Sequence, residues 1–137
     1  MHAELIPLSF DKIMQTRAYT VVILGSGEKR FAIYTDPTTG RNLQMCLTGL
    51  EKARPLTHDL IDSIFQGLEV RILQVVINDL QDTVYFARLF LEQTIGSIRH
   101  IIEIDARPSD CITLALMNNV PVYCTREVLE KTIPVED

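Results

Sequence analysis

Ile101-Ile102-Glu103-Ile104-Asp105-Ala106-Arg107-Pro108-Ser109-Asp110-Cys111-Ile112-Thr113-Leu114-Ala115-Leu116 reads as a strand running straight into a helix, with its charged residues crowded at the junction. Before the junction, Ile98, His100, Ile102 and Ile104 share one parity and Arg99, Ile101, Glu103 and Asp105 the other, which predicts a strand with one apolar and one mixed face. On that parity His100 belongs to the core or to an interface. Pro108 stands where a first helical residue belongs, because its fixed φ suits a helix and the N–H it lacks would be unpaired there anyway. Asp110 falls in the first turn, where a carboxylate meets free N–H groups and the positive end of the helix dipole. Cys111, Ile112, Leu114, Ala115, Leu116 and Met117 make the helix apolar nearly all round, so it should be buried, and Asn118, Asn119 and Pro121 should end it.

A second stretch echoes the first. In Arg54-Pro55-Leu56-Thr57-His58-Asp59-Leu60, Arg-Pro is again followed by a hydroxyl, an acid and an apolar helical run through Ile61, Ile64, Phe65 and Leu68. Thr57 reads as the N-cap and Asp59 as the first-turn acid. The echo is too short to be a repeat.

Composition bounds what these junctions can belong to. A chain of 137 residues with 47% apolar content suits one soluble domain, 1–137 with a core at 5–130. At that size about two-thirds of the unfolded surface is buried on folding. No apolar run approaches the length of a membrane span, and no basic-then-apolar leader opens the chain, so the expectation is no membrane association and a cytoplasmic location. Cys46, Cys111 and Cys124 are odd in number and widely spaced, which excludes a disulfide framework and a zinc pattern and predicts free thiols.

Taken in order, Glu4 to Met14 should form a first strand, with Pro7 marking an edge or a strand end. Ala18–Leu24 and Arg30–Thr35 flank Gly25-Ser26-Gly27-Glu28-Lys29 as a hairpin, so the Gly-Ser-Gly is a turn and not a phosphate cradle. Asp36-Pro37 should cap and open a helix ending within Gly49 to Lys52, with Leu50 on its apolar side. Gly67 should end the second helix. Val70 to Ile77, apolar on both faces, should be a central strand. Asn78 to Asp82 should turn the chain into Thr83–Glu92, and Gly96-Ser97 into the strand that opens this section, giving an antiparallel meander. Val120 to Cys124 is a short last strand, Thr125 caps a short helix through Glu130, and Ile133 to Asp137 should be loose. The fold class is therefore α+β: a single domain with an antiparallel-rich mixed sheet packed with about three long helices, at 37–49, 58–67 and 108–118.

The two Arg-Pro motifs, the apolar helix after the second and the Val120-Pro121-Val122-Tyr123 that follows it resemble the bifunctional nuclease domain family, small bacterial and plant domains, over roughly residues 5–130. The resemblance implies cleavage of RNA and DNA phosphodiesters. It is interrupted at Thr35-Asp36-Pro37-Thr38-Thr39-Gly40, where the family has a glycine followed by a Glu-Ala pair, and Asp36 is the acid available to substitute. The net charge of −5 runs against a nucleic-acid partner, since backbone binding usually draws on a basic surface.

Asp105, Arg107, Ser109 and Asp110 lie at the carboxyl end of a strand beside a helix N-terminus, where α/β sites usually sit. Arg54, Thr57, His58 and Asp59 could face them. His58, Asp59, Asp105 and Asp110 are then the candidate catalytic residues. Asp105 and Asp110 could hold a divalent metal (Mg²⁺ or Mn²⁺), and His58 could be a ligand or a general base. Arg54 and Arg107 could clamp phosphate, with Thr57 and Ser109 beside them. The structural reading is equally specific. Thr57 and Ser109 cap helices, Asp59 and Asp110 stabilise them, and the arginines cross-pair with the acids of the other junction. On that reading the chain is a non-catalytic binding or regulatory module, assembling as a homo-oligomer through an exposed sheet edge.

Overall fold

The structure, a computed structural model, describes residues 4–49 and 53–136. Leu50, Lys52 and Asp137, which entered the sequence reading, lie outside them. Seven strands form one mixed sheet in the order β3-β2-β1-β7-β4-β5-β6. They are β1 (Leu5–Gln15), β2 (Thr20–Gly25), β3 (Arg30–Thr35), β4 (Val70–Gln81), β5 (Val84–Ile95), β6 (Ile98–Ala106) and β7 (Val122–Thr125). The helices are α1 (Pro37–Thr48), α2 (Thr57–Gly67), α3 (Pro108–Asn118) and the short α4 (Arg126–Lys131). The α+β class, the β2–β3 hairpin and the β4–β5–β6 meander are all as the sequence predicts.

β1 joins the two halves of the sheet. Its first residues, Leu5 to Leu8, pair with β7, and Ser9 to Gln15 pair with β2 across a register shift between Phe10 and Lys12. Pro7 stands near the start of β1, one of the two places the sequence reading offered for it, where β2 does not yet pair with the strand. It is tolerated because at that height β1 is paired on one side alone, so no ladder bond needs its N–H. β7 slips between β1 and β4, and its pairing with β4 is parallel. The α3 segment must therefore carry the chain from the far edge at β6 back across β5 and β4. It is a helix buried through its first two turns, from Pro108 to Ala115, except at the half-buried Asp110.

The core lies between this helix layer and one face of the sheet. It is built from Val22, Leu24, Phe31, Leu43, Val75, Ile77, Leu89, Ile112 and Leu129 among others. α1 approaches β2 closely at Gly40, where a Cβ would sit 1.9 Å from the Thr20 hydroxyl.

Several local expectations change. Asn78 to Asp82 is not a turn. β4 runs to Gln81, because a register shift between Ile77 and Asp79 lets Leu80 stay buried opposite Tyr85, and Asp82 takes the left-handed conformation of the two-residue turn. Thr57 is the first residue of α2 and not its cap; Leu56 holds the N-cap position. α2 does end at Gly67, but the left-handed residue after it is Glu69. His100 is exposed, not in the core, because β6 is the outermost strand and no helix covers it. The tail is not loose throughout: the Val135 N–H donates to the Arg30 carbonyl at 2.9 Å and covers the edge of β3.

Candidate functional site

α1 and α3 both begin with proline at the first helical position. Their starts lie beside each other. Asp36, the N-cap of α1, accepts from the Thr39 N–H at 2.8 Å and from the Thr39 hydroxyl at 2.7 Å. These bonds hold its carboxyl below the ordinary range. Arg107, the N-cap of α3, comes within 3.8 Å of Asp36 through one guanidinium nitrogen. Through the rest of the guanidinium it binds Asp110, three residues on, at 2.9 and 3.2 Å. Residues spaced by three share a helix face, so this pairing is local.

α2 supplies one member of the cluster. His58 is 7% exposed, and its Nε2 is 2.9 Å from the Asp110 Oδ1, an oxygen that Arg107 also reaches. An ionised carboxylate only accepts, so Nε2 carries the hydrogen and donates. The His58 Nδ1 is then a buried acceptor without a hydrogen-bond partner among the described residues. The bond from His58, and then those from Arg107, lower the Asp110 pKa to about 2 against the opposing effect of burial. Asp110 is thus a fixed anion at neutral pH that accepts from both sides.

This cluster borders a cleft of 310 Å³. Arg107, Pro108 and Ser109 form one wall, Asp36 and the end of β3 (Ile33 to Thr35) a second, and Thr83, Val84 and Tyr85 at the β4–β5 turn a third. Burial pushes the Tyr85 phenol up to about 12, so it remains a hydrogen-bond donor. The Arg107 side chain is 62% exposed and can turn a face to anything entering.

The eight residues picked from sequence separate here. Arg107, Ser109, Asp110 and His58 come together. Asp105 is exposed on β6, with Arg88 as its cross-strand neighbour. Arg54 and Thr57 are exposed, and Arg54 forms no ion pair with the described residues. Asp59 accepts from the Leu56 N–H at 2.7 Å, supporting its own helix. The expected cross-pairing of the two arginines with the opposite acids is not formed, because Arg107 is satisfied by Asp110 within its own turn. Asp36, read in the sequence as a helix cap and a stand-in acid, comes within 3.8 Å of Arg107. Tyr34, Thr83 and Tyr85 carried no sequence signal; a hairpin tip brings them in, and no motif marks it.

The residues do not fit a divalent metal as arranged. Both Asp110 oxygens are bonded to His58 and Arg107, Asp105 stands apart, and no three His, Cys, Asp or Glu side chains among the described residues gather as a ligand set. Cys111, next to Asp110 in sequence, is buried and its thiol is pushed up to about 12, so it is no nucleophile.

Fold and site together define a mixed-sheet α+β domain with an arginine-bearing cleft at a helix start. The chain belongs to the bifunctional nuclease domain family, whose pattern it matches over residues 22–136. It is 30% identical over 120 residues to an uncharacterized protein of Mycobacterium tuberculosis, present in strains CDC 1551 and H37Rv, covering 86% of this chain and 69% of that protein. It is also 30% identical over 86 residues to Bifunctional nuclease 1 of Arabidopsis thaliana, covering 61% of this chain and 26% of the plant protein. No helix among the described residues is long and apolar enough to cross a membrane.

Proposed function

We propose that this chain is a nuclease-like domain whose cleft takes a phosphodiester of single-stranded RNA or DNA, with Arg107 as the phosphate-binding group. The observation that carries the reading is the held guanidinium. Asp110 fixes Arg107 from behind, His58 fixes Asp110, and the free face of Arg107 borders an open cleft at the first turn of a long helix. An arginine so pre-oriented can meet two phosphate oxygens at once, and the α3 N-terminus adds its own attraction for anions. Tyr85 is placed to donate to a third oxygen. Asp36, across from Arg107, is the carboxylate available to orient an attacking water. Its lowered pKa makes it a weak base, so orientation is its part.

In this arrangement His58 and Asp110 are positioning residues. His58 has one nitrogen bonded to Asp110 and the other buried, so neither reaches the cleft. Assembly as a homo-oligomer and a cytoplasmic location belong to the same proposal; Cys46, Cys111 and Cys124 form no disulfide among the described residues, which accords with a reducing compartment.

One observation favours a second reading, a binding module without chemistry: the chain carries a net charge of −5. Labelled single-stranded RNA and DNA oligonucleotides, incubated with the protein in EDTA, Mg²⁺ or Mn²⁺, separate the two. Cleavage lost in Arg107→Ala and partly kept in Arg107→Lys supports hydrolysis in this cleft. Binding without cleavage in all three conditions supports the module. Equal cleavage by wild type and Arg107→Ala overturns the site.

A further inference from the structure

The cleft at Arg107 is one half of a longer trench. A second cleft, of 340 Å³, opens beside it and shares three of its wall residues, Tyr34, Thr83 and Tyr85. Both lie between β3 and the turn that joins β4 to β5. Thr35 and Ile33 line the half nearer Arg107 and Ala32 the other, so the trench follows β3 backwards. From Thr35 to Ala32 that is roughly 10 Å, at about 3.3 Å per residue. The two halves differ in chemistry. The second is walled mainly by apolar groups, among them Ala32, Leu80, Pro134 and Val135, and its charged lining residues, Asp82 and Lys131, are exposed. Lys131 lies 3.9 Å from Asp79 and 3.8 Å from Glu127. Committed to two carboxylates, it is not arranged to take a second phosphate.

The walls of this half are held. The Lys29 ammonium donates to the Thr132 carbonyl at 2.9 Å, and the Val135 N–H to the Arg30 carbonyl at 2.9 Å, which pins the C-terminal tail along one side. The Tyr85 ring stacks on Phe31 with centroids 5.8 Å apart, and Tyr34 stands edge-on to Tyr19 at 5.5 Å. Phe31 is fully buried, so one face of Tyr85 is fixed against the core. Tyr34 is 64% exposed, a ring braced by its neighbour yet open to whatever enters.

The strand edge adds backbone groups. The Ser26 N–H bonds the Lys29 carbonyl, and bonded and non-bonded pairs alternate along an antiparallel ladder. Arg30, Ala32 and Tyr34 therefore all turn their N–H and C=O away from β2. Arg30 gives its carbonyl to the tail; Ala32 and Tyr34 present theirs along the trench.

We propose that this second half is a nucleobase subsite, taking the base of a nucleotide whose phosphate lies on Arg107, stacked on Tyr34 and hydrogen-bonded along its edge to the β3 backbone and Thr83. The inference rests on the phosphodiester reading of the Arg107 cleft. Tyr85 serves both halves, its hydroxyl toward the phosphate and its ring toward the base. Every base has a π-face, so the subsite tolerates any sequence. A base enclosed in this way has left its partner, so the trench takes single strands.

A dinucleoside monophosphate and two analogues, each lacking one of its bases, test this by titration in EDTA. The chain has four tyrosines and no tryptophan, so its own fluorescence reports stacking on tyrosine. Removing one of the two bases should weaken binding by about tenfold and abolish the fluorescence change, and removing the other should do neither. Tyr34→Ala should weaken the intact ligand by about tenfold and leave the analogue lacking the stacked base unaffected, while Tyr34→Phe should keep wild-type affinity. Arg107→Ala should weaken intact ligand and analogues alike. If it does so while neither base matters, or while Tyr34→Ala weakens all three ligands equally or none, the base subsite is overturned and the phosphate site stands. If Arg107→Ala changes nothing, or the wild type binds none of the ligands, both readings fall.

Discussion

The junctions at Arg107-Pro108 and Arg54-Pro55 look alike in sequence and end differently. In both helices the acid sits at the third helical position, as Asp110 and as Asp59. Arg107 precedes Asp110 by three residues and is itself the N-cap, so its side chain folds onto the same helix face and binds the acid. Arg54 precedes Asp59 by five and lies outside the helix, whose cap position is Leu56. Two extra residues thus separate a held guanidinium from an exposed one. The junction that meets Arg107 is a third one, Asp36-Pro37, and α2 contributes only His58. Similar composition at a helix start does not make a site; the spacing from cation to anion and the neighbour across the groove do.

That contrast can be broken by mutation. The largest expected effect is Asp110→Ala, which leaves the buried His58 ring with no partner on either nitrogen and should cost about 1–3 kcal/mol in urea unfolding. Asp59→Ala should cost about 0.3–1 kcal/mol, the value of a carboxylate at a helix N-terminus. Equal losses would mean that the two acids do the same work.

Next comes binding. Arg107→Ala should weaken affinity for a single-stranded oligonucleotide by about tenfold and flatten its salt dependence, as loss of one phosphate contact does. Arg54→Ala should leave both unchanged in the same fluorescence titration.

A smaller effect sharpens the comparison through pH. The Asp110 pKa is depressed from 3.8 to about 2, so its contribution to stability is full above 3.8 and is lost as pH falls toward about 2. With 31% of the side chain in solvent, the loss should be about 1 kcal/mol. Stability followed by chemical unfolding down that range should fall more steeply in wild type than in Asp110→Asn. Least of all, Arg54→Ala should shift stability by no more than about 0.5 kcal/mol, as an exposed substitution does.

Much of the fold was legible in the sequence because its signals are local. Alternation gave β2, β3, β4 and β5, Asp36 and Pro108 marked two helix starts, and the apolar run after Asp110 announced a buried helix. The failures were where local pattern and sheet position disagree. His100 and the isoleucines of β6 have the alternation of a half-buried strand, and only the strand order shows that they lie at the edge of the sheet and stay exposed among the described residues. Leu80 looked like part of a turn until a bulge in β4 placed it opposite Tyr85. Of the site, Arg107, Asp110 and His58 were picked out by residue type and position, but the sequence reading paired Arg107 with the acid of the other junction, and the structure pairs it with Asp110 in its own turn. The approach of Asp36 was not legible, since it depends on how α1 and α3 are seated side by side.

The sequence by itself determined the family, the α+β class and the crowding of charged groups at the α3 start, because helix capping, periodicity and spacing by three act within a few residues of chain. Tertiary structure decided which helix start faces which, that His58 points at Asp110 while Asp59 and Arg54 do not, and that β6 is left as an open edge. Those outcomes follow from the α3 crossover carrying the chain back over β5 and β4 to β7, a contact between residues far apart in sequence that no local pattern encodes.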